Sequence, residues 1–143
     1  MNQSVTFATP YPFRKPAFIG IREYSFTNSL GDEYSVQFVQ KNKHLSDYIV
    51  DLSLKNQDLD EYRTMNTGDV YKVMATVVSI FLDFIRQTPY CKSIEFTPVP
   101  ENDRLANRRS VLFHRYVRFF KTLTGWDYHI KDGVFIIIRP KTK

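Results

Sequence analysis

Alternating apolar and polar residues mark three short segments in the first part of the chain. The segments are residues 21–27, 34–40 and 48–54. Successive side chains of a strand point to opposite faces, so this alternation predicts three β-strands. Residues 28–32 (NSLGD) separate the first two segments and have turn chemistry, which predicts a hairpin there.

A longer segment repeats its apolar residues at steps of three and four, from Val70 to Ile85. This spacing predicts an amphipathic helix whose wide apolar face suits packing on a sheet. Thr67 is the predicted N-cap, and Pro89 ends the helix. Four polar residues fall together on the side of this helix opposite its apolar face: Lys72, Thr76, Ser79 and Asp83.

The last part of the chain predicts a strand, a second helix and a closing hairpin. The strand covers residues 91–98, the helix residues 104–124, and the hairpin strands residues 126–131 and 134–139. Gly125 is a typical helix stop, and Asp132-Gly133 between two apolar runs is a strong hairpin signal. Residues 134–138 are apolar on both sides, so their strand is predicted to be central in the sheet or covered.

These elements follow the order β-β-β-α-β-α-β-β, which predicts an α+β fold. We expect a mixed, mainly antiparallel sheet with two helices and with parallel pairing in its middle. A chain of 143 residues has the length of a single domain. We assign residues 19–143 to that domain and residues 1–18 to an extended N-terminal arm.

The N-terminal arm interleaves prolines with large aromatic residues. The aromatic residues are Phe7, Tyr11, Phe13 and Phe18. Proline removes backbone donors and favours extended geometry, so we expect an extended segment whose rings rest on an apolar surface. Two surfaces remain open: the protein's own domain, or a protein partner or second copy of the chain.

Composition narrows the class of protein. The formal net charge is +5, which permits an anionic partner such as nucleic acid. Cys91 is the one cysteine, so no internal disulfide forms, and we expect a buried thiol in a reducing compartment. The chain has no run of about 18 apolar residues, and its N-terminus lacks signal-peptide features. These features predict a cytoplasmic protein that does not bind membranes.

Two stretches of the sequence carry a family resemblance. Residues 107–114 (NRRSVLFH), followed by Gly125-Trp126, are similar to the N-x-x-A…L-Y…G-F ending of GNAT-type N-acyltransferases. The element order over residues 33–139 also resembles that fold without its first strand and helices. Residues 67–77 (TGDVYKVMATV) resemble a phrase of small uncharacterised proteins from bacteriophages and Bacteroidetes-type bacteria. The resemblance implies a truncated, degenerate GNAT-like fold and, for a phage protein, a place in the virion or the host cytoplasm.

The GNAT resemblance implies an acyl-CoA site at the start of the first helix. Its residues here would be Thr67, Gly68 and Asn107. Such a site needs two glycines so that backbone N–H groups can approach the pyrophosphate, and residues 62–69 contain one. Asp69 also brings a negative charge into the first helical turn, where it repels phosphate. We therefore expect no bound cofactor.

No residue is predicted to be catalytic or to bind a metal. The tyrosine that serves as the acid in that family has no counterpart, because Phe113 and His114 occupy its position. Glu95 on the fourth strand has two interpretations, a general base or a solvent-facing side chain. The acidic residues 58–61 have no partner set of carboxylates or histidines elsewhere, so they do not define a metal site.

The second helix carries a basic stripe. At 100° per residue four of its five arginines fall on one side: Arg104, Arg108, Arg115 and Arg118. Guanidinium groups in such a row bind phosphates, but they also form ordinary solvated helix faces. Both interpretations stay open.

Three hypotheses for function follow. The leading hypothesis is a non-enzymatic interaction module, phage-related as the resemblance implies, that acts in an assembly or on a host factor. Its partner would be another protein or a second copy of the chain. The alternatives are an acyl-CoA-dependent N-acyltransferase with an atypical cofactor loop, and a nucleic-acid- or anion-binding protein that uses the arginines of the second helix.

Overall fold

A computed structural model describes residues 9–16, 22–29, 31–41, 44–54, 69–97 and 106–141 of the protein. Within these ranges it contains six strands and two helices. In chain order they are β1 (Glu23–Thr27), β2 (Glu33–Lys41), β3 (His44–Leu54), α1 (Asp69–Gln87), β4 (Ser93–Phe96), α2 (Ala106–Thr124), β5 (Asp127–Lys131) and β6 (Val134–Ile138). The predicted element order and the predicted α+β class are confirmed.

The strands of the described ranges form one mixed sheet in the order β1-β2-β3-β4-β6-β5. β3 and β4 run parallel, whereas β4 and β5 both run antiparallel to β6. Parallel neighbours need a long crossover, and α1 lies in the connection between β3 and β4. The predicted parallel pairing in the middle of the sheet is therefore confirmed, and β6 has the interior position predicted for its apolar sequence.

Several strand boundaries differ from those predicted, and the starts of β3 and β4 show why. β3 begins at His44, before the predicted start, because polar residues ahead of its apolar run also pair, with Asp47 beside Ser93. β4 begins at Ser93 rather than Cys91, because the Cys91 N–H donates to the Thr88 carbonyl at 3.0 Å in the turn after α1. Hydrophobic alternation marks the buried part of a strand and misses ends whose side chains are polar.

The chain divides into two compact units. The first consists of Met1–Val36 and Leu52–Asp83, and the second of Gln37–Asp51 and Phe84–Lys143. In the first unit the strand residues Phe26 and Tyr34 are buried and stack with their ring centroids 4.8 Å apart. Large aromatic side chains therefore supply much of the apolar surface that this unit buries.

The second unit covers one face of its part of the sheet with helical residues. Phe84 of α1 stacks on Phe38 at 3.8 Å and meets Tyr48 edge-on at 5.0 Å. α2 lies on the same face, because its Phe113 packs edge-on against Phe96 at 5.0 Å. Fully buried residues alternate with less buried ones along β4 and β6, as expected of strands covered on one side.

α1 is buried on more of its circumference than predicted. Thr76 is 0% exposed and Asp83 is 5% exposed, although both lie on the side opposite the apolar repeat. This burial was not predicted: Tyr11 and Tyr24 lie against this side of the helix and hydrogen-bond to these two residues. The apolar repeat of a helix reveals its most hydrophobic face and not a second, partly polar contact.

Residues in the left-handed region close two connections. Asp132 and Gly133 have φ of 53° and 78°, the conformation that an Asp-Gly turn adopts between antiparallel strands. Gly125, with φ of 79°, ends α2 and donates its N–H to the Lys121 carbonyl at 2.7 Å. The predicted hairpin and the predicted helix stop are both confirmed.

In the part of the chain that the structure describes, neither helix combines the length and apolar character needed to cross a membrane.

Candidate functional site

The N-terminal segment is anchored in the first unit at Tyr11. Its side chain is 8% exposed, and its ring stacks over Phe26 at 6.2 Å. The Tyr11 N–H donates to Thr76 Oγ1 at 2.7 Å, and the Tyr11 hydroxyl accepts the Ser29 N–H at 3.0 Å. Of the two surfaces left open for the arm, Tyr11 uses that of its own unit.

Phe13 follows the same course. It is half-buried and lies edge-on to Tyr24 at 5.9 Å. Next to it, Arg14 and Ser25 exchange backbone hydrogen bonds of 2.7 and 3.2 Å, so the segment lies beside β1. Phe7 and Phe18 fall outside the described residues, and their contact with a partner stays a prediction.

A buried carboxylate organises this contact. Asp83 accepts a hydrogen bond from the Tyr24 hydroxyl at 2.7 Å and forms an ion pair with Lys15 at 3.1 Å. Burial raises the pKa of Tyr24, and the hydrogen bond and negative charge of Asp83 raise it further, so the phenol stays protonated. The cluster satisfies a buried charge and holds the N-terminal segment against α1, which is a structural role.

The second unit presents a sheet face that its helices do not cover. We call it the open face, and define it as the odd positions of 37–41, 47–51, 93–95 and 127–131 with the even positions of 134–138. Strand register brings four of these residues into one row: Ile49, Glu95, Ile136 and His129. None of the four is buried, whereas Ile94 and Ile137 in the neighbouring row are 0% and 1% exposed.

The centre of the open face is polar and internally paired. Lys41 forms an ion pair with Glu95, whose side chain is 19% exposed. Ser93 Oγ donates to Asp47 Oδ1 at 2.8 Å on the neighbouring strand. Glu95 had two interpretations, and its ion pair gives it a structural use that neither interpretation included. Polar side chains of the centre are therefore ion-paired or hydrogen-bonded to one another.

Large aliphatic side chains flank this polar centre. Val39, Ile49 and Ile138 are 46%, 42% and 39% exposed, and they come from three different strands. Single exposed aliphatic residues are common, but several on one sheet face are typical of a surface that another protein covers. We predicted β6 to be central or covered because its sequence is apolar on both sides. A partner on the open face would account for the apolar residues on that side of the strand.

Two of the four stripe arginines can be located. Arg115 and Arg118 lie one turn apart on α2 and are exposed. Among the described side chains neither has a carboxylate partner. The side chain of Arg108 and the whole of Arg104 lie outside the described part of the protein, so the complete stripe stays a prediction.

His114 takes part in a packed pair. Its Nε2 lies 2.8 Å from the Tyr128 hydroxyl, and its ring is edge-on to both Tyr128 and Phe135 at 5.5 and 5.9 Å. Lys121 lies 5.9 Å from the Tyr128 ring centroid on the same side of β5. Sequence reasoning missed Tyr128, because neither its type nor its spacing from His114 is a recognised signal.

The buried position predicted for Cys91 is confirmed. Its thiol is 0% exposed, and burial raises its pKa to about 12 despite the nearby Arg139. The Arg139 Nε donates to the Cys91 carbonyl at 2.7 Å, and its guanidinium lies 4.6 Å from the Trp126 ring centroid. A protonated, enclosed thiol cannot act as a nucleophile at neutral pH.

The residues implied for acyl-CoA remain untested. Thr67 and Gly68 lie outside the described residues, and Asn107 belongs to α2 without a described side chain. Within the described ranges no three histidine, cysteine or carboxylate side chains converge as metal ligands would. Comparison with family models, curated proteins and solved structures finds no match. The GNAT and phage resemblances therefore stay hypotheses.

Proposed function

We propose that the protein is a non-enzymatic interaction module whose second unit binds a protein partner through the open face. The observation that carries this proposal is the exposure of Val39, Ile49 and Ile138 around the paired Lys41 and Glu95. Removing apolar surface from water stabilises a complex by about 25 cal/mol per Å². Three aliphatic side chains from β2, β3 and β6 supply such surface without any change in the fold.

The polar centre supports a protein rather than a small molecule as the partner. A charge that is already paired is less costly to cover than an isolated one, and its remaining lone pairs can accept hydrogen bonds from a partner. Small-molecule sites are concave and enclose most of their ligand, whereas the open face is one side of a sheet. A hydrophobic contact area with a paired polar centre fits a protein surface.

We place this activity in a reducing compartment, the cytoplasm or a phage particle assembled there. The enclosed Cys91 thiol supports a protein that does not depend on disulfides. The resemblance of residues 67–77 to phage proteins supports the second location.

The test compares matched charge insertions on two surfaces. Ile49→Glu and Ile138→Glu place carboxylates on the open face, and Leu123→Glu places one on α2 at a residue that is 50% exposed. A binding protein, captured with the wild type and then purified, is titrated against each variant by calorimetry. We expect the open-face variants to lose at least about tenfold in affinity, since each buries an unpaired charge, and Leu123→Glu to bind as the wild type does.

A purified binder that tolerates both open-face variants would contradict the proposal. So would a binder that loses affinity only with Leu123→Glu, because its contact would then be α2. Unchanged circular dichroism spectra and melting temperatures establish that each variant is folded.

A second candidate function, anion binding, is favoured by the exposed Arg115 and Arg118. Each phosphate contact that a cation makes contributes about 0.9 to the slope of log affinity against log salt. Arg115→Glu with Arg118→Glu should therefore abolish nucleic-acid binding or flatten its salt dependence. Arg86→Glu, at an exposed arginine of α1, is the control. Equal salt slopes for the two variants would exclude a role for the α2 arginines.

A further inference from the structure

Among the described residues, no strand pairs with the outer edge of β5. β5 is the last strand of the sheet and pairs with β6 on one side. The opposite edge of the sheet is different, because Arg14 pairs with Ser25 of β1. Four residues of β5 are exposed: Asp127, His129, Ile130 and Lys131. In the part of the chain described by the structure, no strand lies beyond β5. An open strand edge is a template for pairing with another strand.

The hairpin register determines which backbone groups reach this edge. Lys131 pairs with Val134 across a two-residue turn, so these two form a hydrogen-bonded pair. The alternation of an antiparallel ladder then directs the N–H and C=O groups of residues 127, 129 and 131 towards β6. The N–H and C=O groups of Tyr128 and Ile130 point outwards.

Two hydrogen bonds agree with this alternation. The same alternation directs the N–H of residue 139 away from β5. In agreement, the Arg139 N–H donates to the Lys92 carbonyl at 2.9 Å on the far side of β6. At the outer edge, the Tyr128 N–H is directed away from β6 and donates to Oδ1 of the preceding residue, Asp127, at 2.8 Å. The N–H and C=O of Ile130 have no partner among the described residues.

The sequence of β5 is complementary to itself when reversed. Asp127-Tyr128-His129-Ile130-Lys131, placed antiparallel to a second copy and centred on His129, sets each Asp127 opposite a Lys131. The same alignment sets each Tyr128 opposite an Ile130 that is 45% exposed. Opposite charges and aromatic–aliphatic pairs across two strands are both stabilising.

We propose that two copies of the chain pair antiparallel along β5, with the two-fold axis passing beside His129. Tyr128 of each copy exchanges both backbone hydrogen bonds with Ile130 of the other. The two sheets become continuous, and because Asp127 and Lys131 share the open face, the two open faces lie on the same side. This pairing rests on the β5 edge and does not depend on the proposed function of the open face.

The charges select this single register. A shift by two residues in either direction places His129 opposite a charged end and leaves the other charges unmatched. A parallel alignment would place Asp127 beside Asp127 and Lys131 beside Lys131, which is repulsive. Charged side chains on an edge strand usually discourage pairing, but here opposite signs at the two ends favour a second copy of the same strand.

The pairing replaces weak local contacts. In the structure, Asp127 accepts hydrogen bonds from the Tyr128 N–H and, at 3.0 Å, from Lys121. In the dimer it gives up the Tyr128 N–H and lies between Lys121 and the opposing Lys131. Asp127 and Lys121 are largely exposed, so their ion pair is inexpensive to rearrange. An interface of one short strand is small, so the dimer should form only at high protein concentration.

Sedimentation equilibrium of the full chain tests the proposal, from micromolar concentrations to about 1 mM. We expect the mass of a monomer at low concentration and up to twice that mass at high concentration. Ile130→Pro should remain monomeric throughout, because it removes an outward N–H and leaves the bonds to β6 intact. Ile130→Ala, which keeps that N–H, should still dimerise.

Charge exchange gives a stricter test. Asp127→Lys and Lys131→Asp should each be monomeric, since each sets like charges opposite one another. An equimolar mixture of the two should dimerise, because every opposing pair is then of opposite sign. Lys141→Asp changes the net charge equally at an exposed residue beyond β6 and should dimerise as the wild type does.

Three results would overturn the proposal. One is a wild type that stays monomeric at about 1 mM. Another is a dimer that survives Ile130→Pro, and the third is a mixture of the charge variants that remains monomeric although both are folded by circular dichroism. If a dimer that survives Ile130→Pro is lost with Ile49→Glu, self-association belongs to the open face.

Discussion

Asp83 illustrates how single residues of the first unit depend on partners far away in the sequence. Its carboxylate is buried and is held by Tyr24, which lies 59 residues away, and by Lys15. Helical periodicity places Asp83 correctly on one side of α1 and says nothing of the residues that cover that side. A buried charge is tolerated only with such partners, so its environment can be found from the structure alone.

Replacing Tyr24 by phenylalanine should destabilise the protein. The change removes the donor to Asp83 and leaves the ring packing in place, so we expect a loss of about 1.5–3 kcal/mol in the free energy of unfolding. Urea denaturation measures this loss. Tyr90→Phe, at a tyrosine that is 47% exposed, should change stability by less than about 0.5 kcal/mol.

The same pair predicts an alkaline pH dependence. The pKa of Tyr24 is higher in the folded protein than in the unfolded chain, because of burial and of Asp83. The stability linked to this proton is therefore fully present below pH of about 10 and is lost as the pH rises above it. The wild type should lose more stability than Tyr24→Phe between about pH 9 and 11. Parallel losses in the two proteins would contradict this assignment.

Cys91 should be unreactive in the folded protein. With its pKa raised to about 12 by burial, the thiolate fraction at pH 8 is on the order of a thousandfold below that of an ordinary cysteine. A chromogenic disulfide reagent should therefore label the native protein very slowly and the denatured protein at once. Rapid labelling under native conditions would show that the thiol is accessible.

Local sequence signals predicted the turns and helix ends that connect the elements. They did not predict contacts between segments that are far apart in the sequence. The Asp132-Gly133 turn and the Gly125 helix stop depend on backbone conformations that few residues adopt, so the residue types at these positions predict them. The N-terminal segment is different, since its contact with α1 depends on Thr76. A threonine in a helix gives no sign that a distant backbone N–H will bond to it.

Thr76→Val should loosen the N-terminal segment. Valine has nearly the same shape but lacks the oxygen that accepts the Tyr11 N–H, so we expect a loss of about 1–3 kcal/mol. Cleavage by trypsin after the exposed Arg14 should become faster in native buffer. Thr122→Val on the exposed side of α2 is the control. Equal cleavage rates in the two variants would show that Thr76 does not hold the segment.

For the molecule as a whole, the sequence could predict that a sheet forms, but not whether one or both of its faces are buried. Residues 134–138 are apolar on both sides, which predicts a central or covered strand. In the structure the strand is interior to the sheet, yet Ile137 is 1% exposed and Ile138 is 39% exposed. Apolar residues on a second face can serve a core or a binding surface, and composition alone does not distinguish these uses.

Matched substitutions on adjacent residues test this one-sided burial. Ile137→Ala opens a cavity in the covered face, and we expect it to destabilise the protein by about 2–5 kcal/mol. Ile138→Ala removes the same atoms from the open face, where water already reaches the side chain, so the loss should stay below about 1 kcal/mol. The two variants share strand, residue type and substitution, so β-propensity is held nearly constant and burial makes the difference. Equal losses in urea denaturation would mean that the open face is covered in solution, either by the chain itself or by a second copy, and a concentration-dependent loss for Ile138→Ala would identify the second copy.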